Sequence, residues 1–240
     1  MNSTEKSAQD MALLLQGLGT FQAFAPWSAA ALRELLRSAR LRRYDRGAPV
    51  HREGGGGAEA LAVLSGCLMM GWSGLGGEPL SLTLVGPGTL AGIGGVPEPH
   101  DETRYAYHAH DDGTLVAHLS APALLGILDA EPPLWRGMAP FLLRQQRALL
   151  ATLLHQLSGP VRQRLAATLT RFSQIHGGND TTRTLRLRLS QEDLAAMLQV
   201  TRQSINREMR AFEQRGLVNS EYGSVIVRNL AALRALGHGA

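Results

Sequence analysis

The sequence predicts an α+β chain: an antiparallel barrel or sandwich in the first half, one long helix, and a C-terminal helix pair closed by a short hairpin. Three observations predict it. Short apolar runs punctuated by glycine fill the segment from Tyr44 to His118, a leucine-rich stretch of helical spacing runs from Leu134 to Leu157, and arginine is concentrated beyond Ser158. The 240 residues, 44% of them hydrophobic, suffice for a packed core in one large or two modest domains. Residues 159–240 carry twelve arginines against six acids, whereas residues 1–158 carry twelve basic against fourteen acidic groups. A local basic excess is what a phosphate-binding module needs, although a soluble surface has the same look.

At the N-terminus, Met11 to Leu15 has the apolar character of a signal-peptide core, but Glu5 and Asp10 precede it and Gln16, Gly17 and Gly19 interrupt it. It reads as a surface or partly docked segment. No run approaches the roughly 18 apolar residues of a membrane helix. Cys67 alone supports neither an intramolecular disulfide nor a four-cysteine metal site, and its apolar strand makes it a core residue rather than a redox switch. A cytoplasmic protein with no membrane partner is expected.

The glycine-spaced region follows, with Ala60 to Leu64, Cys67 to Trp72 and Leu80 to Val85 as its clearest strands; such short runs between turn signals belong to antiparallel architectures. Ala29 to Ala39 has helical apolar spacing. The longer helix follows Pro132-Pro133 and tolerates Pro140 near its first turns. Along it, Met138, Leu142, Gln145, Leu149, Thr152 and Gln156 keep a three-four spacing, and Leu143, Leu150, Leu153 and Leu157 form an adjacent line. Two stripes need two partners: one packs on the barrel and the other on the same helix of a second subunit, unless both face the core of a monomer. The first series is assigned to the dimer helix. Ser158-Gly159-Pro160 ends it, dividing the chain into 1–133, 134–158 and 159–240.

Beyond a helix from Val161 to Ile175, the alternating Leu185, Leu187 and Leu189 predict a short strand. Ser190-Gln-Glu-Asp193 has the form of a capping box, opening a helix with Leu194, Ala195 and Leu198 inward. After the turn Gln199-Val200-Thr201, Thr201 caps a second helix whose inner face is Ile205, Met209 and Phe212. Its outer face offers Arg202, Gln203, Asn206 and Arg207. These are long donors able to reach base edges in a major groove, arginine suiting guanine and the amides suiting adenine. Gly216 ends this helix, and Leu217 to Arg228 reads as strand, turn and strand, a wing. Each feature alone fits an ordinary helix pair; their succession over some 40 residues specifies a winged helix-turn-helix.

The segment Leu189-Ser-Gln-Glu-Asp-Leu-Ala-Ala-Met-Leu-Gln-Val-Thr-Arg-Gln-Ser-Ile-Asn-Arg207, followed by Phe212-Glu-Gln-Arg-Gly-Leu217, resembles the DNA-binding signature of the CRP/FNR superfamily of bacterial regulators, and the resemblance extends over nearly the whole chain. It implies a double-stranded β-helix (jelly-roll) sensor barrel of the cyclic-nucleotide-binding type, with Gly54, Gly66, Gly88 and Gly92 at matching turns. It further implies a homodimer on a pseudopalindromic double-stranded operator, with RNA polymerase as a partner, in which Arg202, Gln203 and Arg207 face bases and Ser190, Thr201 and Ser204 lie near phosphates. Two departures matter. Gln199 stands at a turn position that is commonly glycine, and Gln203 replaces the glutamate of cyclic-AMP-responsive members.

The same alignment places the effector pocket at Gly92, Ile93, Thr103, Arg104, Leu149 and Leu150. Ile93 stands for the glutamate that holds the ribose, Thr103-Arg104 for an arginine and its small neighbour, and the two leucines for hydroxyl residues against adenine. Isoleucine accepts no hydrogen bond, and a buried phosphate without partners is costly. The expectation is a small effector other than a cyclic nucleotide, or none, with no cofactor; a cyclic-nucleotide response is the alternative. A metal or haem sensor, or a cupin-like enzyme, would draw on His108, His110 and His118; the first two are expected to share a strand face, with no carboxylate nearby. The reading adopted is a regulator, not an enzyme.

Overall fold

The computed structural model describes residues 3–52, 58–73, 79–93, 104–177 and 184–237. Its contacts divide the chain into two compact units, residues 1–78 with 85–148, and residues 79–84 with 149–240. In the first unit, strands β1 (Arg40–Tyr44), β2 (Pro49–Arg52), β3 (Glu59–Ser65), β4 (Leu68–Ser73), β6 (Leu90–Ala91), β7 (Arg104–Ala109) and β8 (Thr114–Ser120) form antiparallel sheets, with β5 (Pro79–Val85) between β4 and β6 in sequence. One sheet has the order β1-β8-β3-β6, and β7 pairs with both β2 and β4 in the other. This is jelly-roll topology.

Alternation explains which face is covered. Ala60 and Ala62 on β3, with Ala117 and Leu119 on β8, are fully buried in one cluster with helices α1 (Ser3–Gly19), α2 (Ala29–Leu36) and α3 (Ala121–Ala130). Three of these four are alanines, so helices can approach the sheet closely. Phe21, Phe24, Trp27 and Phe141 fill the space between, with Phe24 and Trp27 edge to face at 5.2 Å. The N-terminal segment is a helix docked along one side, the second of the two expected alternatives: Leu14 and Leu18, one turn apart, are buried in this core. Gly92 has φ +72°, and a Cβ there would meet the Glu59 carbonyl oxygen at 2.7 Å, so this turn admits only glycine.

Helix α4 (Trp135–Leu157) follows a 3-10 turn at Pro132–Leu134 and carries Pro140 in its second turn. The boundary of the contact-defined units falls between Ala148 and Leu149, inside this helix, whereas its end lies at Ser158 and Gly159, the latter at φ +90°. The second unit contains α5 (Val161–Gly177), α6 (Gln191–Leu198), α7 (Arg202–Gln214), α8 (Leu230–Gly237) and a three-stranded sheet, β10 (Val218–Glu221), β11 (Ser224–Val227) and β9 (Leu185–Leu187) in that order. Leu165, Leu169 and Phe172 of α5, Leu194 and Leu198 of α6, and Ile205 and Phe212 of α7 have no exposed surface and form its core.

Candidate nucleic-acid interface

The helix pair is fixed by its ends. At Ser190 the capping box is complete: Ser190 Oγ accepts from the Asp193 N–H at 3.0 Å, and Asp193 Oδ2 accepts from the Ser190 N–H at 2.9 Å. The Ser190 hydroxyl proton also goes to Asp193, at 2.7 Å, so the cap consumes the group expected to meet a phosphate. Gln199 closes α6 in the left-handed region, φ 51° and ψ 48°, as a C-terminal turn requires. Thr201 then caps α7 by accepting from the Ser204 N–H at 3.2 Å. Thr201 is exposed and Ser204 half-buried at this N-terminus, where a helix dipole favours an anion.

On the outward side of α7, Arg202, Gln203 and Arg207 are exposed and Asn206 half-buried. A shallow depression of about 560 Å³ runs along this side, lined by Gln203, Asn206, Arg207, Arg210, Ala211 and Gln214. A second hollow of about 450 Å³ brings Ser190, Arg202 and Asn206 beside the hairpin residues Ser220, Tyr222 and Gly223. Existing bonds hold two of these side chains: Arg202 pairs with Glu192 at 3.1 Å and Asn206 donates to Gln191 Oε1 at 3.1 Å. The Arg202 pair is open to solvent on both sides, worth at most about 1 kcal/mol, and is readily exchanged for a nucleic-acid contact. Arg210 and Gln214 were missing from the sequence reading, though their three- and four-residue spacing from Arg207 and Arg210 was available as a signal.

Two arginines of α5 brace this platform. Arg164 donates from Nε to the Gln156 carbonyl at 2.5 Å and from Nη2 to the Leu198 carbonyl, so one guanidinium joins the last turns of α4 and α6. Arg162 Nε donates to Glu208 Oε2 at 2.8 Å, joining α5 to α7. Neither pairing has a local sequence signal, since the partners lie eight to 46 residues apart.

The stripe assigned to the dimer helix faces elsewhere. Met138 and Leu142 pack in the core of the first unit, and Gln145 holds the Leu90 backbone on both sides, accepting from its N–H at 2.9 Å and donating to its carbonyl at 3.3 Å. Thr152 and Gln156 are buried and Leu149 half-buried. The face left open is the adjacent one, Leu143, Leu150, Leu154 and Leu157, each more than half exposed; Leu153 is half-buried. The Met138, Leu142 and Gln145 part of that stripe meets the barrel, where the Gln145 amide completes the hydrogen bonds of a short strand, and the open line takes Leu154 in place of the expected Leu153.

Of the pocket residues, Gly92 is sealed by the Glu59 carbonyl, Ile93 packs against the hydrophobic core and Leu150 is exposed. Arg104 opens β7 opposite Ser73, while Thr103 and Gly54 lie outside the described residues. The histidines do not assemble. His108 is exposed, β7 ends at Ala109 before the buried His110, and His118 belongs to the other sheet; among the described residues these three form no metal-ligating group. A carboxylate is nearby, contrary to expectation. His118 Nδ1 bonds Glu59 at 2.7 Å and Nε2 bonds the Tyr44 hydroxyl at 2.7 Å, so both ring nitrogens are occupied. Cys67 is buried, and burial, with Asp111 adding to it, pushes its thiol pKa far above the ordinary value.

Residues 163–236 match the Crp-like helix-turn-helix domain. The chain is 26% identical over 220 residues to the CRP-like cAMP-activated global transcriptional regulator of Mycobacterium tuberculosis, covering 89% of this chain and 94% of that one. It is 26% identical over 198 residues to the cyclic AMP receptor protein of Thermus thermophilus, covering 82% and 88%. Among solved structures it is similar to a Crp/Fnr-family protein from Eubacterium rectale, with TM-score 0.70, 17% identity and coverage of 91% and 98%. A CRP-family regulator from Thermus thermophilus gives 0.66, 21%, 83% and 97%. Among the described residues no helix is long and apolar enough to cross a membrane. The family model and the capped helix pair with its wing agree on a Crp-like helix-turn-helix domain at residues 163–236, in a chain similar over most of its length to CRP-like transcription regulators and folded like CRP/FNR proteins.

Proposed function

We propose that this regulator reads a two-fold symmetric operator as a homodimer, using Arg202, Gln203, Asn206 and Arg207 on bases and Thr201 and Ser204 on phosphates, with the Leu143, Leu150, Leu154 and Leu157 face of α4 as the dimer seam. The observation that carries this reading is the outward face of α7, where long donors stand exposed on a helix capped at its start and buried along its inner side. Such an arrangement is what a major groove accepts. Arg210 joins the same face and extends it.

The effector is proposed to be something other than a cyclic nucleotide, or absent. Ile93 supports this, since it lies against the core and offers no acceptor for a ribose hydroxyl. The names of the two curated relatives favour cyclic AMP and keep that second reading in play. One experiment addresses both: selection of binding sites from random duplex DNA by the full chain, with and without cyclic AMP. The expected product is an inverted repeat with half-sites about 34 Å apart, enriched equally in both arms. Enrichment that depends on cyclic AMP would restore the nucleotide reading. Failure to enrich any sequence in either arm would remove base reading by α7. In the same assay Arg207→Ala is expected to cost about 1–3 kcal/mol and to relax preference at a single base pair per half-site.

A further inference from the structure

The inner side of α7 contains a charge. Ile205, Met209 and Phe212 are buried there as the helical period requires, and so is Glu208, whose side chain is only 9% exposed. An apolar residue would fill this position without a desolvation cost, so a carboxylate is tolerated only because its oxygens are matched. Each oxygen has a different arginine. Oε2 accepts from Arg162 Nε at 2.8 Å, and Oε1 lies 3.4 Å from the Nε of Arg207, whose own side chain is 74% exposed.

Neighbouring residues on a helix point in different directions and do not normally face one another. Arg207 therefore reaches back to meet Glu208 through the nitrogen nearest its aliphatic stem. A guanidinium approached by a carboxylate at Nε keeps its two Nη nitrogens available as donors to a further partner. Two parallel N–H donors on these nitrogens match the O6 and N7 acceptors of guanine. An arginine already held in its reading posture loses less side-chain freedom on binding than an unrestrained one. Arg162, by fixing the second oxygen, keeps the carboxylate from following Arg207 outward and offsets its negative charge near DNA phosphates.

We propose that Glu208, anchored by Arg162, is a positioning residue that orients Arg207 end-on and so sharpens selection of guanine at the base pair Arg207 reads. This rests on the assignment of Arg207 as a base reader. Glu208 itself touches no base in this scheme. The rival account is that Glu208 and Arg162 are only a brace between α5 and α7, which would affect folding and leave base preference untouched.

The full chain and its Glu208→Gln, Arg162→Gln and Arg207→Ala variants would each be taken through selection from random duplex DNA, with thermal melting recorded alongside. Arg207→Ala identifies the position concerned as the one whose preference disappears. Relative enrichment within a pool does not depend on the folded fraction, so it reads selectivity apart from stability. Glu208→Gln keeps the shape and an oxygen acceptor, and is expected to lower guanine preference at that position roughly tenfold while leaving the other positions as they were. Arg162→Gln is expected to act at the same position, more weakly. Unchanged preference in Glu208→Gln, with or without a lower melting temperature, would overturn the proposal in favour of the brace. If Arg207→Ala weakened every sequence equally, the base-reading assignment and this inference would fail together, an outcome distinct from failure of Glu208 alone.

Discussion

Gln199 is the only residue other than glycine with positive φ among the described residues. A left-handed conformation costs such a residue about 1 kcal/mol or more, and the side chain recovers part of this by donating from Nε2 to the Ala196 carbonyl at 2.7 Å. Gln199→Gly is expected to stabilise the second unit by up to about 1 kcal/mol, seen as a rise of up to roughly 4–8 °C in its melting temperature; a fall would mean that the amide bond outweighs the strain. This position was legible beforehand because the turn between two helices has one demanding backbone angle. The same local logic exposed the caps at Ser190 and Thr201. It failed for Glu59, whose partners His118 and Arg40 come from other strands.

Helix α4 shows what periodicity can and cannot resolve. Its extent matches the helical spacing to within a residue, but the exposed line runs through Leu154 rather than Leu153, and periodicity alone does not say which stripe meets which neighbour. Gln145 belongs to the series expected at the subunit seam; its place on Leu90 instead follows from the peptide groups of the two-residue strand β6 that need partners. The open leucines give a direct prediction. Leu150→Glu would put a charge in the middle of the proposed seam and is expected to shift the protein from dimer to monomer in sedimentation while leaving its helical content intact. A dimer that persists places the seam elsewhere. Where α4 and α6 end, Arg164→Met would strip the Gln156 and Leu198 carbonyls of their shared donor, an expected loss of about 1–3 kcal/mol by thermal unfolding.

For the whole molecule, the balance of charge predicted a basic C-terminal third but not the response of the barrel to acid. Burial lowers the pKa of His118 below the ordinary 6.5, against the weaker opposing pull of Glu59; burial likewise lowers that of His51, whose Nδ1 lies 3.6 Å from the same carboxylate. The unfolded chain then binds more protons in the interval below 6.5, so stability falls as pH drops through it. For Glu59, burial alone would raise the pKa, but the His118 hydrogen bond and the charges of His118 and Arg40 outweigh it and hold the group below 4.5. Its contribution is present above that value and is lost as pH falls further. Both effects have the same sign. The barrel is expected to melt at a lower temperature near about pH 5 than near about pH 7, and His118→Gln to flatten the upper part of that slope. An unchanged slope would exclude His118 as its source.

The doubled bond between Gln145 and Leu90 also makes α4 behave as an indexed shaft. Turning the helix by one residue, about 100°, would carry the Gln145 amide off the strand and break both contacts at once. The pair of bonds thus fixes the rotational setting of this part of the helix against β6.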